Sequence, residues 1–321
     1  MRVYRSLDGA GGLRGCTVAI GNFDGVHLGH RELFALARAR AAERGGPVVA
    51  FTFEPHPVRV LRPALTPPLL TPLPRKLELL AACGLDGAVV QPFDAAYAGT
   101  EARAFVSRDL VGRLGAAEVV VGHDFTAGHD RARVESLRAL LAAEGAGLRV
   151  LDPVTTDGLV VSSTKTREFL LEGNVEGAAL LLGRPHDVDG AVERGDGRGR
   201  GLGFATANVR PAAMLPANGV YAVQAWLGAE VGPDGISRVD GARRRDGVCN
   251  VGVKPTVQAA GPVTAEVHLL DFPDRDLYGE TLRLAFVARI REERRFPSLD
   301  ALRAQISADA AAARQALAAA G

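Results

Sequence analysis

The sequence predicts a two-part chain: a doubly wound α/β sheet of parallel strands, then an antiparallel barrel or sandwich that ends in a helix. Three observations predict it. Up to residue 184, short β-type runs alternate with alanine- and leucine-rich stretches of helical spacing. Beyond it the texture changes to short alternating runs separated by glycine-rich turns. The last stretch, SLDALRAQISADAAAARQALAAA (298–320), has helix propensity behind a serine and an aspartate suited to capping. The expected domains are 1–184 and 185–321.

Taken in order, VAI (18–20) is the first strand and leads through a glycine loop into a helix over LGHRELFALARARAAER (28–44). PVVAFTF (47–53) reads as a buried strand, and the proline-rich EPHPVRVLRPALTPPLLTPLP as a loop. A helix over 75–84 stops at Gly84, a strand covers 87–93, and TEARAFVSRDLVGRLG (100–115) is the next helix. AEVVVGHDF (117–125) is a strand running into a loop, RVESLRALLAAEGAG a helix, LRVLDPV a strand, and SSTKTREFLLEG a helix entered through capping residues. In such a sheet, ligands bind at the carboxyl ends of the strands. The second part is expected to place strands at HDVDGAVERG, GVYAVQAWLG, ISRVDGA, DGVCNVGV, VTAEVHLLDF and LRLAFVARI. The basic run ARRRDG (242–247) is read as a solvated hairpin tip.

Bulk properties exclude several classes. The net charge of +1 gives no electrostatic reason to expect nucleic acid or an anionic membrane as partner. Only Lys76, Lys165 and Lys254 are lysines among 38 basic residues, a bias expected of a GC-rich genome. Cys16, Cys83 and Cys249 show no paired spacing, so a reducing compartment is expected, and neither a signal peptide nor a bilayer-length apolar run is present. The expected location is the cytoplasm. No lysine follows a glycine, which excludes a Walker A loop; no GxGxxG opens a helix and no serine lies in a GxSxG context.

Phosphate chemistry must therefore use another device, and IGNFDGVHLGH (20–30) offers one. His27 and His30, three apart, share one face of a first helical turn, where unpaired N–H groups and the positive helix end converge. Gly29 leaves the backbone open to an anion. Zinc would want more ligands than the two histidines. The plainer alternative is that both are capping or core residues.

The stretch resembles the HxGH signature of the nucleotidyltransferase superfamily, and Ser162-Ser163-Thr164-Lys165-Thr166-Arg167 matches its companion signature at a helix start. TFEPHP (52–57), VVGHDF (120–125) and LLGRPHDVDGAV (181–192) resemble the bacterial bifunctional riboflavin kinase/FAD synthetase (FMN adenylyltransferase) family. In the second half, GDGRGRGLGFATANV (195–209) is similar to that family's kinase signature, and LPANGVYAV, NVGVKPT and EVHLLDF follow in its order. The resemblance spans roughly residues 16 to 312 and implies a Rossmann-like nucleotidyltransferase domain plus a riboflavin kinase-like antiparallel barrel.

It also implies roles. His27, His30 and Arg167 would be catalytic in adenylyl transfer, with Gly21, Asn22, Phe23, Asp24, Gly29, Ser162, Ser163, Thr164 and Lys165 on ATP. Phe53, Pro55, His56, Pro57 and Asp124 would form the flavin side; for the prolines, simple loop stiffening ranks equally. In the barrel, Gly197, Arg198, Gly199 and Gly203 would hold phosphates, and Thr206 and Asn208 a Mg2+ ion with ATP. Glu266 would be the base for the ribityl hydroxyl, the alternative being a solvent-facing strand glutamate. Arg291 would lie near flavin, or form a surface ion pair. The implied substrates and products are riboflavin, FMN, FAD and ATP.

Three departures stand out: Ala205 replaces a proline, 126–134 lacks the usual aromatic and glycine pattern, and Thr166 stands where an aliphatic is usual. They keep three readings open: a bifunctional enzyme, a paralogue with one active half or a modified flavin substrate, and a non-catalytic flavin- or nucleotide-binding protein.

Overall fold

The structure is a computed structural model that describes residues 1–193, 206–253, 263–273 and 276–320. It divides into two compact units: residues 1–68, 73–161 and 233–236, and residues 69–72, 162–232 and 237–321.

In the first unit, β1 (Arg2–Tyr4), β2 (Thr17–Ile20), α1 (Leu28–Arg44), β3 (Val48–Glu54), α2 (Pro57–Leu61), α3 (Leu73–Ala82) and β4 (Gly87–Pro92) come first. After them come α4 (Ala95–Ala98), α5 (Ala102–Ala104), β5 (Glu118–Gly122), α6 (Val134–Ala143) and β6 (Gly147–Leu151). These six strands form one parallel sheet in the order β1-β4-β3-β2-β5-β6. Strands β2 and β3 are buried on both faces, as their unbroken apolar runs require. Chain order reverses at β2, which lies between β3 and β5, so the crevice for ligands is expected at the carboxyl ends of these three strands.

Two expectations change in this unit. The proline-rich loop contains α2, which opens with Pro57 at its first turn, a place where proline's missing N–H costs nothing. The helix expected over 100–115 is α5 followed by a π-helix, Phe105–Arg113, whose wider turn places the Ser107 carbonyl 2.9 Å from where a Cβ on residue 112 would stand; glycine occupies that position. A ribbon, β7 (Thr155–Thr156) with β8 (Leu159–Val160), turns through Asp157 and Gly158, both at positive φ as a two-residue hairpin requires.

The second unit opens with α7 (Ser163–Leu171) and α8 (Val175–Leu182), followed by β9 (His186–Glu193), β10 (Ala207–Pro211) and β11 (Gly219–Leu227). A ribbon of β12 (Glu230–Val231) and β13 (Ser237–Arg238) precedes β14 (Arg244–Val253), β15 (Val263–Leu269), β16 (Thr281–Arg291) and α9 (Leu299–Ala319). Six strands close an antiparallel barrel in the order β10-β15-β14-β11-β16-β9. Alternate residues fill it, among them Val209, Tyr221, Val223, Cys249, Val251, Ala265, Val267, Leu284 and Phe286. Helix α9 covers part of the outer face, where Ala313 and Leu317 pack against Ala222 and Leu270. Of the unforeseen elements, α8 lies in an apolar stretch ended by Gly183 at φ 66°, and β10 begins at the end of the glycine-rich segment. The segment 237–238 pairs with β12, outside the barrel.

Candidate active sites

In the first unit, three expected pieces follow three adjacent strands: Gly21–His30 after β2, Phe53–Pro57 at the end of β3, and Asp124 after β5. The loop between β2 and α1 is strained. Phe23 (φ 51°) and Val26 (φ 42°) sit in the left-handed region on either side of Gly25 (φ 87°). A β-branched residue there is a backbone outlier of about 1–3 kcal/mol, and burial of both side chains in the core holds it in place. Because the Phe23 ring is buried, Phe23 can meet a ligand only through its backbone. A Cβ on Gly21 would stand 2.8 Å from that ring, so glycine is required for the loop to close.

His27 caps α1: its Nδ1 accepts the His30 N–H at 3.3 Å. The two imidazoles stack, centroids 3.6 Å apart at 16°, and the Phe23 ring meets His30 edge-on at 5.2 Å. A Cβ on Gly29 would come within 3.2 Å of His27 Nδ1. His30 Nδ1 is enclosed and without a hydrogen-bond partner, although the residue as a whole keeps some surface. Burial, and then the neighbouring His27 and Lys76, lower the His30 pKa well below the ordinary value, so without a ligand the ring is neutral. An arriving phosphate would draw it back up.

Lys76 on α3 was not singled out by sequence. It is 2 % exposed. Burial lowers its pKa, while Asp24 and Glu54 oppose the shift. A buried cation within electrostatic reach of His30 is expensive, and Asp24, Glu54 and an arriving anion would each offset that cost. The only sequence signal was a lysine among apolar residues of an amphipathic helix.

The flavin-side residues fall into two groups. Phe53 lies among the rings of Phe51, Phe93 and Tyr97. Pro55 follows a cis peptide bond, Pro57 starts α2, and His56 caps that helix by accepting the Val58 N–H at 3.3 Å. Asp124 is exposed. The altered 126–134 loop is a small closed hairpin: Ala127 and Ala132 exchange backbone bonds of 2.9 Å, and Asp130 accepts the Ala102 N–H at 2.9 Å.

The Ser162–Arg167 segment opens the second unit. Ser162 caps α7 by accepting the Lys165 N–H at 3.1 Å, Ser163 begins the helix, Thr164 is exposed, and Lys165 pairs with Glu168 at 3.0 Å. The unusual Thr166 is fully buried, and its hydroxyl donates to the Ser162 carbonyl at 2.9 Å, which satisfies it where an aliphatic would otherwise sit.

On the barrel, the register places Glu266 of β15 opposite Asn208 of β10 on one side and Asn250 of β14 on the other. Their chain neighbours Ala265, Val267, Val209, Cys249 and Val251 point into the core, so these three polar residues share the outer face. Asn208 Oδ1 is buried and has no hydrogen-bond partner. Burial, and the charge of Glu266, raise the pKa of the Cys249 thiol beneath this row. A Mg2+ ion bound with substrate phosphates needs few protein ligands, and neutral side-chain oxygens can supply them. The orphaned Asn208 Oδ1 and the exposed Thr206 hydroxyl fit that demand. Gly197, Arg198, Gly199, Gly203 and Ala205 lie outside the described residues.

Arg291 is engaged within its own unit. Its guanidinium grips Asp309 of α9 at 2.7–3.1 Å through Nε and Nη2, and it stacks over Phe296.

Residues 11–165 match the family described as FAD synthetase, and residues 182–317 the family described as riboflavin kinase. This defines a two-part flavin-nucleotide class. A bifunctional riboflavin kinase/FMN adenylyltransferase from Pseudomonas fluorescens is 40% identical over 94% of this chain and 93% of its own. Its counterpart from Escherichia coli (strain K12) is 38% identical over 94% and 92%. A solved structure from Streptococcus pneumoniae, described as a macrolide-efflux protein, is 28% identical with a TM-score of 0.83 and covers 97% of this chain and 98% of that one. Among the described residues no helix is long and apolar enough to cross a membrane. The chain belongs to the bifunctional riboflavin kinase/FMN adenylyltransferase family.

Proposed function

We infer that this chain phosphorylates riboflavin to FMN with ATP and then adenylylates FMN to FAD with release of pyrophosphate. The observation that carries the reading is one family match on each half of a single chain, with relatives alike over more than nine-tenths of its length. The proposed division of labour is 1–184 for adenylyl transfer and 185–321 for the kinase. The proposed partners are flavins and ATP, with no nucleic acid or membrane. The proposed compartment is the cytoplasm, which suits three free thiols.

For adenylyl transfer, an FMN phosphate oxygen attacks the α-phosphorus of ATP, a P–O bond forms, and the α–β anhydride breaks to release pyrophosphate. No covalent enzyme intermediate is required; the protein positions the reactants and stabilises the growing charge. His27 and His30 at the start of α1 serve as donors to phosphate oxygens, with Lys76 as a buried counter-charge behind them. The family resemblance assigns Ser162, Ser163, Thr164, Lys165 and Arg167 to ATP as well. Phe53, Pro55, His56, Pro57 and Asp124 are assigned to flavin.

In the barrel, Glu266 accepts the proton of the ribityl hydroxyl as its oxygen attacks the γ-phosphorus and ADP leaves. Thr206 and Asn208 would hold Mg2+, whose chemistry there is to neutralise phosphate charge. The assay is direct: incubate the protein with riboflavin, ATP and magnesium, and resolve FMN and FAD by chromatography. Absence of FMN refutes the kinase half, and FMN without FAD refutes the adenylyltransferase half.

A further inference from the structure

The row Asn208–Glu266–Asn250 continues to a fourth residue. Asn250 Nδ2 donates to Glu293 Oε1 at 3.1 Å, from the segment just after β16. A carboxylate can only accept, so Glu293 decides which end of the Asn250 amide it meets. With Nδ2 turned to Glu293, Oδ1 is turned away from it. Beside the Asn208 Oδ1 assigned to Mg2+, two neighbouring strands then offer oxygens on the same outer face, the Glu266 carboxylate and Asn250 Oδ1. Such a row is complementary to a chain of hydroxyl donors.

Gly252, two residues beyond Asn250 on the same strand face, is the second observation. A Cβ there would overlap the Glu293 carboxylate. The contact is with the end of a flexible side chain, so a methyl group at 252 would displace Glu293 at little cost to the fold. Glycine at this position is what allows the close approach.

We propose that Glu293 is a positioning residue of the kinase half, which locks the Asn250 amide so that its oxygen accepts from a hydroxyl of the ribityl chain. This rests on the kinase reading above and extends it to two residues that the sequence did not single out for a role. Glu293 does not touch the reacting atoms; it acts through Asn250.

The test is a pair of substitutions read on riboflavin phosphorylation, with FMN adenylylation in the same samples as the control for folding. Glu293→Gln offers both a donor and an acceptor, so Asn250 can flip. It should lower kcat/KM for riboflavin roughly 3- to 10-fold, mainly through KM, as for one neutral hydrogen bond. Gly252→Ala should reproduce this loss in the wild-type background, yet add nothing in a Glu293→Ala background, because the overlapping group is gone. Equal losses from Gly252→Ala in both backgrounds, or unchanged KM in folded Glu293→Gln and Gly252→Ala, overturn the proposal. Riboflavin binding, followed by quenching of flavin fluorescence, separates it from the kinase reading. A wild-type chain that binds riboflavin but never makes FMN refutes the activity; if Glu293→Gln still weakens that binding, the row stands. Turnover and binding that both ignore the two substitutions refute the row alone.

Discussion

His27 has two separable jobs, and substituting it tests whether both are real. As N-cap of α1 it accepts the His30 N–H at 3.3 Å, and its ring stacks on His30 while only 7 % of the residue is exposed. His27→Ala removes a cap worth about 1 kcal/mol and leaves a ring-sized gap worth about 1–2 kcal/mol more. The total, about 2–3 kcal/mol, should lower the melting temperature of the first unit by roughly 5–10 °C. His27→Asn restores a strong cap without an imidazole, and should recover about 1 kcal/mol, or roughly 2–4 °C. Adenylyl transfer should not follow. Loss of one donor to the developing charge costs about 10²–10³-fold in kcat, and both variants should show it. The assay is pyrophosphate release from ATP and FMN, with riboflavin phosphorylation measured alongside. Near-normal adenylyl transfer in His27→Asn would show that the histidine is only a cap, and would refute the phosphate-binding role.

Three further outcomes follow from the same geometry. His30 is held neutral in the folded state but protonates below its ordinary pKa of 6.5 when unfolded, so the unfolded chain binds the extra proton and stability falls as pH falls. Between pH 7.5 and 5.5 this should amount to about 1.4 kcal/mol, lost in His30→Leu, as read by denaturant melts at the two pH values. Lys76→Met removes a buried cation that Asp24 and Glu54 attract, so pyrophosphate release from ATP and FMN should drop roughly tenfold or more in a chain that still phosphorylates riboflavin. Asp309→Ala strands the Arg291 guanidinium, whose side chain is one-fifth exposed, and should cost about 3 kcal/mol, with α9 the first element to exchange amide hydrogens.

The long periodic elements were legible because local signals agreed with the fold. Helix α1 runs over residues 28–44 as its spacing indicates, and α9 begins behind Ser298, which accepts the Ala301 N–H. What was not legible depends on contacts distant in sequence. Strand β10 carries no strand signal of its own until β15 and β9 pair with it and Val209 enters the barrel core. Lys76 looks like a surface residue of a helix, yet the fold buries it within electrostatic reach of Asp24 and Glu54. Val26 adopts a backbone angle that its own side chain disfavours, which no propensity could suggest. The His27 and Glu266 positions were legible from motif, but the capping geometry of one and the cross-strand row of the other were not. Arg291 illustrates the converse: its pairing with the buried Asp309 depends on α9, 18 residues further along the chain, and leaves its expected place near flavin an open proposal.

If one chain holds two independent centres, loss of one must leave the other intact. This is tested most directly by mixing Glu266→Gln with His30→Ala in riboflavin, ATP and magnesium. Alone, Glu266→Gln should make FAD from added FMN but nothing from riboflavin, and His30→Ala should stop at FMN. Mixed, they should convert riboflavin to FAD. If either substitution abolished both activities in a folded protein, or the mixture stopped at FMN, the assignment of one reaction to each half would be contradicted.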